Sequence, residues 1–178
     1  AYFAPGESGL LYLPVKADAG VSVKLLTNAL EATDVPAVHG GYAPYRKALL
    51  EHGVHLYELR RQPGAPRSGL ALRLHGSSDS SLHSKAMIFD RRKSFIGSFN
   101  FDPRSALWNT EVGVLVDSPE LAEYTRELAA QGMDLALSYQ LQLVDGKLVW
   151  VTEDNHHLHT LTTEPGGLWR RFNAWVSK

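Results

Sequence analysis

The sequence predicts a single domain of the α/β class, in which helices alternate with the strands of a sheet that contains parallel pairs. Two observations support this prediction. The chain has 178 residues, of which 44% are apolar and 21% are charged, and this composition is typical of one globular domain with its own core. Its first 60 residues contain two helix-and-strand units in series, and such units favour parallel strands.

The first elements follow from apolar spacing and glycine stops. Apolar residues between the glycines at positions 6 and 20 predict a short helix, and residues 21–27 alternate as in a strand. Residues 41–52 have helical spacing and end before Gly53, which is a typical helix stop. Residues 54–59 then predict the second strand.

Two polar segments and three strands follow. Residues 60–69 contain two prolines and two glycines, which predicts a surface loop, and residues 77–81 predict a polar turn. Strands are expected at roughly 82–89, 93–97 and 110–116.

The last third of the chain has clear local signals. Ser118 is expected to cap a helix whose first residue is Pro119 and whose apolar residues extend to Leu137. Asp145-Gly146 between two apolar runs predicts a hairpin. Trp169, Phe172 and Trp175 recur at helical spacing and form an apolar face, which is core or is covered by a partner; contact with a membrane interface is the alternative.

Charge and cysteine content exclude several functions. The sequence has no cysteine, so it forms no disulfide and no thiolate metal site, and it has no thiol nucleophile. The formal net charge of −1 argues against non-specific binding of nucleic acid, which is therefore not an expected partner. Residues 41–110 nevertheless contain 11 basic against 5 acidic side chains, so an anionic ligand is expected in this part of the chain. No apolar run is long enough for a membrane-spanning helix.

The candidate catalytic and binding residues are concentrated in positions 83–100. His83 and Lys85 are two positions apart on a predicted strand, so their side chains project from the same face. An imidazole beside an ammonium can receive a phosphate, because one group attacks or protonates while the other balances charge. Asp90 ends this strand and is expected to fix the following turn. The basic residues 91–93 in that turn are expected to be solvated.

Gly97, Ser98 and Asn100 follow the next short strand. Glycine allows the backbone to approach a ligand closely, and a hydroxyl and an amide can donate to phosphate oxygens. Glu111 begins a further strand, and a carboxylate held near His83 would orient the imidazole ring. The alternative for Glu111 is an ordinary edge-strand carboxylate.

The spacing of these residues resembles the HKD signature of the phospholipase D superfamily. That signature has the form HxK, four residues, D, six residues, GSxN, and all of its positions are present here: His83, Lys85, Asp90, Gly97, Ser98 and Asn100. The extension in residues 100–105 and 109–111 resembles the bacterial cardiolipin synthase branch more than the nuclease branch. The resemblance extends from Tyr2 to about Trp169.

The resemblance implies a phospholipase D-like α/β/α sandwich with a mixed central sheet, in one domain over residues 1–178. Proteins of this branch carry two HKD motifs that meet at an interface. Because this chain has one motif, it is expected to be the C-terminal half of such a protein. Its expected partner is an N-terminal HKD half or a second copy of itself, and the face that carries the motif should be unusually apolar.

The implied reaction is transfer or hydrolysis of a phospholipid phosphodiester through a phosphohistidine. It needs two histidines, a nucleophile and a general acid, and the sequence leaves open which role His83 has. Lys85, Ser98 and Asn100 would bind phosphate oxygens while Glu111 orients His83. No cofactor or metal is expected, because Lys85 and an imidazolium supply positive charge. The implied parent is a bacterial protein that works at a membrane surface, attached to the inner membrane or cytoplasmic.

Two other functions stay open. One is a single-motif phosphodiesterase or nuclease whose two copies form a symmetric site. The other is a binding module without catalytic activity. The presence of every motif position argues against this alternative. Residues 156–159 (His-His-Leu-His) suggest a metal site, but their polar context favours a flexible surface loop.

Overall fold

The computed structural model describes residues 2–61, 82–167, 169, 171 and 172. The turn predicted at 77–81, most of the loop predicted at 60–69 and Trp175 lie outside the described residues. The described elements, in chain order, are α1 (Gly6–Asp18), β1 (Lys24–Asn28), α2 (Pro36–Tyr42), α3 (Arg46–Glu51), β2 (His55–Leu59), β3 (Ala86–Phe89), β4 (Lys93–Gly97), α4 (Pro103–Leu107), β5 (Gly113–Asp117), α5 (Pro119–Gly132), β6 (Ser138–Val144), β7 (Lys147–Asp154) and β8 (His157–Leu161).

The first two strands pair in parallel, as the sequence predicts. Asn28, the last residue of β1, lies opposite Leu59, the last residue of β2. The helix predicted at 41–52 is split between α2 and α3 by a 3-10 turn at Ala43–Tyr45. Pro44 explains the break, because its nitrogen carries no hydrogen to donate to the preceding helical turn.

A five-stranded sheet with the order β1-β2-β6-β7-β8 forms the larger part of the fold. Only the β1–β2 pair in it is parallel, so the predicted α/β class with a mixed sheet is confirmed. The predicted hairpin between β6 and β7 is confirmed as well. Its turn residues, Asp145 and Gly146, have φ of 52° and 72°.

The flexible loop predicted at 156–159 is wrong. His157–Leu161 forms β8, the exposed edge strand of the larger sheet, and Asp154 pairs with His157 across a two-residue turn. The turn residues, Asn155 and His156, have φ of 51° and 62°, and asparagine adopts such positive φ values more readily than most residues. The polarity of this segment therefore reflects an exposed strand.

A second sheet, which the sequence does not predict, contains β3, β4 and β5 in antiparallel order. The helix α5 packs against β3 and β4. Ser118 caps α5, since its Oγ accepts from the Leu121 N–H at 3.2 Å, and Pro119 is the first helical residue, as predicted. The helix ends at Gly132, short of the predicted Leu137.

The main core lies against the larger sheet, where α1 and α3 pack together. Its fully buried members include Tyr42, Leu49 and Leu56. Phe3 joins this core, stacks on Phe101 and pairs with it as an isolated bridge, which connects the N-terminal segment to the chain just after β4. Among the described residues, no helix combines the length and apolarity needed to cross a bilayer.

Candidate active site

The motif begins at the open end of the second sheet. Residues 82–85 lead into β3 without regular strand pairing, so the strand predicted at 82–89 is four residues shorter. The Gly97 N–H donates to the Lys85 carbonyl oxygen at 3.2 Å, which continues the β3–β4 ladder by one hydrogen bond. This pairing brings the start of the motif beside the end of β4, where Gly97, Ser98 and Asn100 follow.

His83 and Lys85 contact each other through their side chains. Lys85 Nζ lies 3.1 Å from His83 Nε2 and donates to the His83 carbonyl oxygen, also at 3.1 Å. An ammonium can only donate, so the ring accepts at Nε2. Burial lowers the pKa of Lys85, and the negative charges of Glu111 and Asp34 oppose that change.

Ser98 and Glu111 form a second pair. Ser98 Oγ donates to Glu111 Oε2 at 2.5 Å and accepts from the Val112 N–H at 3.0 Å. Hydrogen bonds from Ser98, Ser105 and Asn109, together with the charge of Lys85, hold the pKa of Glu111 below its usual value. The carboxylate is therefore ionised at neutral pH and holds the Ser98 hydroxyl in place.

The contact predicted between Glu111 and His83 is replaced by this pair, because the described contacts of the Glu111 carboxylate are with hydroxyl and amide groups. The order of the second sheet explains the difference. His83 precedes β3, Glu111 precedes β5, and β4 lies between those strands. Two strand spacings amount to about 10 Å, although the charge of Glu111 still acts on Lys85 across part of that gap.

The remaining motif residues have distinct positions. Asn100 Oδ1 accepts from the Tyr2 N–H at 3.3 Å. A Cβ on Gly97 would lie 2.4 Å from the Val112 carbonyl oxygen, so the close approach of β4 to β5 requires glycine. Asp90 lies in the β3–β4 turn with φ of 52°, at the other end of β3 from Lys85. Five extended residues span roughly 16 Å, so Asp90 and the His83–Lys85 pair do not share a ligand.

Two residues outside the motif, Tyr2 and Asp34, form contacts beside His83 that the sequence does not predict. The Tyr2 ring meets the His83 ring edge to face, with 6.2 Å between centroids, and its hydroxyl donates to the Asp34 carboxylate at 3.0 Å. Burial and Asp34 raise the pKa of Tyr2 to about 12. Both residues lie far from the motif in sequence, and residue spacing gives no signal for such a contact.

A largely buried cluster of charged side chains lies between the larger sheet and the helices that pack on it. Among the described residues, His39, Glu58 and Glu164 place possible metal ligand atoms within 4.8 Å of one another. Arg46 already supplies a cation there, with its guanidinium 3.0 Å from Glu58 and 2.5 Å from Glu164 and in contact with His39. Burial alone would raise the pKa of Glu164, but His39 and Arg46 lower it to about 2. The cluster is therefore an internal ion pair network that joins α2, α3 and β2 to the C-terminal segment. Trp150 on β7 is its fifth member, because its indole N–H donates to Glu58.

The fold is similar to that of a protein whose crystal structure is known. The crystal structure of Nuc from Salmonella typhimurium, a phospholipase D family member, matches with a TM-score of 0.54 and 22% sequence identity. The match covers 75% of this chain and 73% of that one. The chain therefore has a phospholipase D-like fold.

Sequence comparisons place the chain more narrowly. The family model described as "Cardiolipin synthase, PLD-like domain" matches residues 1–131, and the chain belongs to this family of the phospholipase D superfamily. Cardiolipin synthase C of Escherichia coli (strain K12) is 40% identical over 178 residues, which is 96% of this chain and 36% of the relative. Cardiolipin synthase B of Salmonella typhi is 32% identical over 116 residues, covering 65% of this chain and 23% of the relative.

The chain is much shorter than these proteins. It spans between about a quarter and a third of the length of the curated relatives that it matches.

Proposed function

We propose that this chain supplies one half of the active site of a phosphodiesterase or phosphatidyltransferase, most similar to that of cardiolipin synthases. The contact between His83 and Lys85, with 3.1 Å between Nε2 and Nζ, is the observation that carries the proposal. It places a ring nitrogen beside a positive charge, and Nε2 would become free to act as nucleophile or proton carrier once the Lys85 ammonium donates to a phosphate oxygen instead.

The proposed reaction has two displacements. In the first, Nε2 of one histidine attacks phosphorus, the P–N bond forms, and the P–O bond to the leaving alcohol breaks while a second histidine protonates that oxygen. In the second, the second histidine takes a proton from an acceptor alcohol or water, whose oxygen attacks phosphorus as the P–N bond breaks. His83 takes one of these two roles.

The other motif residues are assigned to the phosphate. Lys85 and Asn100 would bind its non-bridging oxygens, and Lys85 would balance the charge that develops on them. Ser98 has one hydroxyl proton, which it donates to Glu111 in this structure. Ser98 would therefore have to turn that proton away from Glu111 when it binds a phosphate oxygen. Glu111 is proposed to position Ser98 and, through its charge, Lys85.

The second histidine is proposed to come from another HKD motif. The eight histidines of the sequence include only one in an HxK context, and one imidazole cannot occupy both in-line positions at phosphorus. The relatives are long enough to hold a second motif, which favours an N-terminal half in the same polypeptide over a second copy of this chain.

Exposed apolar residues beside the motif support the proposal that another domain covers this part of the surface. The strand β5 is the edge of the second sheet, and Val112, Val114 and Leu115 are all more than half exposed. Leu107 and Trp108, at the end of α4, are exposed as well. Exposed apolar side chains at and beside a sheet edge are typical of a region that packs against another domain.

The proposed substrate is a phospholipid phosphodiester at a membrane surface of a bacterium. The names of the relatives, cardiolipin synthases B and C, support this substrate class. The net charge of −1 speaks against a nucleic acid.

The proposal is tested with the chain alone and with a polypeptide that carries the second motif. A donor with a labelled phosphatidyl group is quenched during turnover, and protein-bound label that is stable in base and labile in acid identifies phosphohistidine. We expect the joined protein to turn over and the chain alone to be monomeric and inactive, or to gain weak activity as its concentration rises. His83→Asn should abolish turnover by the joined protein.

The matched control is His52→Asn. His52 is an exposed histidine that pairs with Asp18, and both residues lie outside the motif. The variant should retain full activity. A monomeric chain with a full rate at every dilution would overturn the half-site proposal. Turnover that survives His83→Asn would overturn the catalytic role of this residue, and preference for a dinucleotide over the phosphatidyl donor would overturn the substrate class.

A further inference from the structure

A buried amide outside the motif contacts the residue just before His83. Asn28, at the end of β1, is 3% exposed. Its Nδ2 donates to the Leu82 carbonyl oxygen at 3.0 Å, and its Oδ1 accepts from the Leu82 N–H at 2.7 Å. One side chain thus satisfies both backbone polar groups of Leu82.

These two hydrogen bonds connect the larger sheet to the motif. Leu82 is buried and packs against Leu59, which lies opposite Asn28 in the parallel pair. The motif segment 82–85 has no regular strand pairing of its own, and its other end is held by the bond from the Gly97 N–H to the Lys85 carbonyl oxygen. The segment is therefore fixed at one end by each sheet, with His83 between the two points of attachment.

We propose that Asn28 is the positioning residue for His83: by fixing both backbone groups of Leu82, it sets the place of the imidazole relative to Lys85 and the phosphate. This inference rests on the proposed function of His83. A displacement of about 1 Å in a reacting group can cost on the order of 100-fold in rate, so the anchor of a short irregular segment matters for turnover. His83 is exposed and Asn28 is buried, so the effect acts through the backbone of Leu82.

The chemistry of the two bonds requires an amide. Leu82 presents one donor and one acceptor side by side, and a planar amide presents the complementary acceptor and donor. Alanine presents neither. An ionised aspartate presents two acceptors, one of them 3.0 Å from the Leu82 carbonyl oxygen, where it is repelled. A protonated aspartic acid again has one donor and one acceptor, so Asn28→Asp should regain the contact at low pH.

The experiment compares the positions of the His83 ring and the turnover rate in Asn28→Ala and Asn28→Asp. Imidazole ¹⁵N signals of His83, assigned by their loss in His83→Asn, are recorded in the chain. We expect them to shift and broaden in Asn28→Ala at every pH. In Asn28→Asp the His83 signals should approach those of the wild-type chain, recorded at the same pH, as the pH falls. In the two-motif protein, kcat should fall tenfold or more while KM stays within twofold.

Thr152→Val is the matched control. Thr152 is also buried, and its Oγ1 donates to the Leu135 carbonyl oxygen at 2.7 Å. It lies on β7, which β2 and β6 separate from the strand of Asn28. The variant should lower stability without moving the His83 signals or kcat.

If the His83 signals of Asn28→Ala have the same positions and widths as those of the wild-type chain, the inference is overturned. A fall in kcat without a shift of those signals would overturn it as well. If Asn28→Ala fails to fold, the pH dependence of Asn28→Asp decides the same question. Absence of turnover in the wild-type two-motif protein would instead refute the proposed function, while the His83 signals still test the positioning by Asn28.

Discussion

Replacement of Arg46 by methionine is expected to destabilise the fold strongly. Arg46 is 2% exposed, and its guanidinium lies 3.0 Å from the carboxylate of Glu58, which is fully buried. The variant would leave this carboxylate in the interior without its cation. Loss of one member of a buried ion pair typically costs about 3–5 kcal/mol, which is a large part of the stability of an ordinary domain.

A double variant separates the lost charge from lost packing. Methionine keeps most of the apolar stem of Arg46, and Glu58→Gln retains an oxygen that can accept from Trp150 Nε1, now 3.0 Å from Glu58 Oε2. In Arg46→Met with Glu58→Gln no unpaired charge remains at this pair, and Glu164 keeps His39 at 2.7 Å. The double variant should therefore be more stable than Arg46→Met alone.

Urea denaturation followed by tryptophan fluorescence measures these free energies, since Trp150 lies within the cluster. For a chain of this size the expected loss corresponds to a Tm lower by about 6–20 °C. A loss below about 1 kcal/mol for Arg46→Met, or a double variant that loses the sum of both single changes, would refute the assignment of a stabilising ion pair.

Three further predictions concern single side chains. The pKa of Glu164 is lowered to about 2 from 4.5, so its ionised form stabilises the fold above about pH 5. This stabilisation of roughly 3 kcal/mol is lost as the pH falls toward 2. Glu164→Gln should flatten that part of the pH profile of stability, measured by urea titrations at a series of pH values. Gly97→Ala forces a Cβ against the Val112 carbonyl oxygen and should cost about 1–3 kcal/mol by thermal unfolding, and an unchanged Tm would contradict the close β4–β5 approach. Ser98→Ala removes the main hydrogen bond to Glu111 and should raise the pKa of that carboxyl toward its usual value in a ¹³C NMR titration, whereas an unmoved midpoint would count against the pair.

Local signals predict much of the fold. Asp145-Gly146 predicts the β6–β7 hairpin because both residues accept positive φ, and Ser118-Pro119 predicts the start of α5 because a hydroxyl there can cap the first turn. The two helix-and-strand units predict the parallel β1–β2 pair. In each case the cause lies within a few residues of the effect.

Features that depend on distant residues could not be predicted in this way. The position of Glu111 depends on strand order, because β4 separates it from His83, and sequence spacing does not report strand order. The contact of Tyr2 with His83 joins residues 81 positions apart. Arg46 and Glu58 read as ordinary charges in a helix and a strand until the packing of α3 on the larger sheet brings them together in the interior.

The attachment of the second sheet has a consequence for the lifetime of the protein. This sheet has three strands, and its links to the larger one include the Phe3–Phe101 bridge and the bonds between Asn28 and Leu82. A unit of this size can detach locally at a lower free energy than the whole domain unfolds. Under the proposed function, a phosphodiester bound by the motif would stabilise the attached arrangement, by about 2.7 kcal/mol when it is present at 100 times its Kd. Proteases that cut the detached strands would then act more slowly on the protein when the proposed substrate is bound.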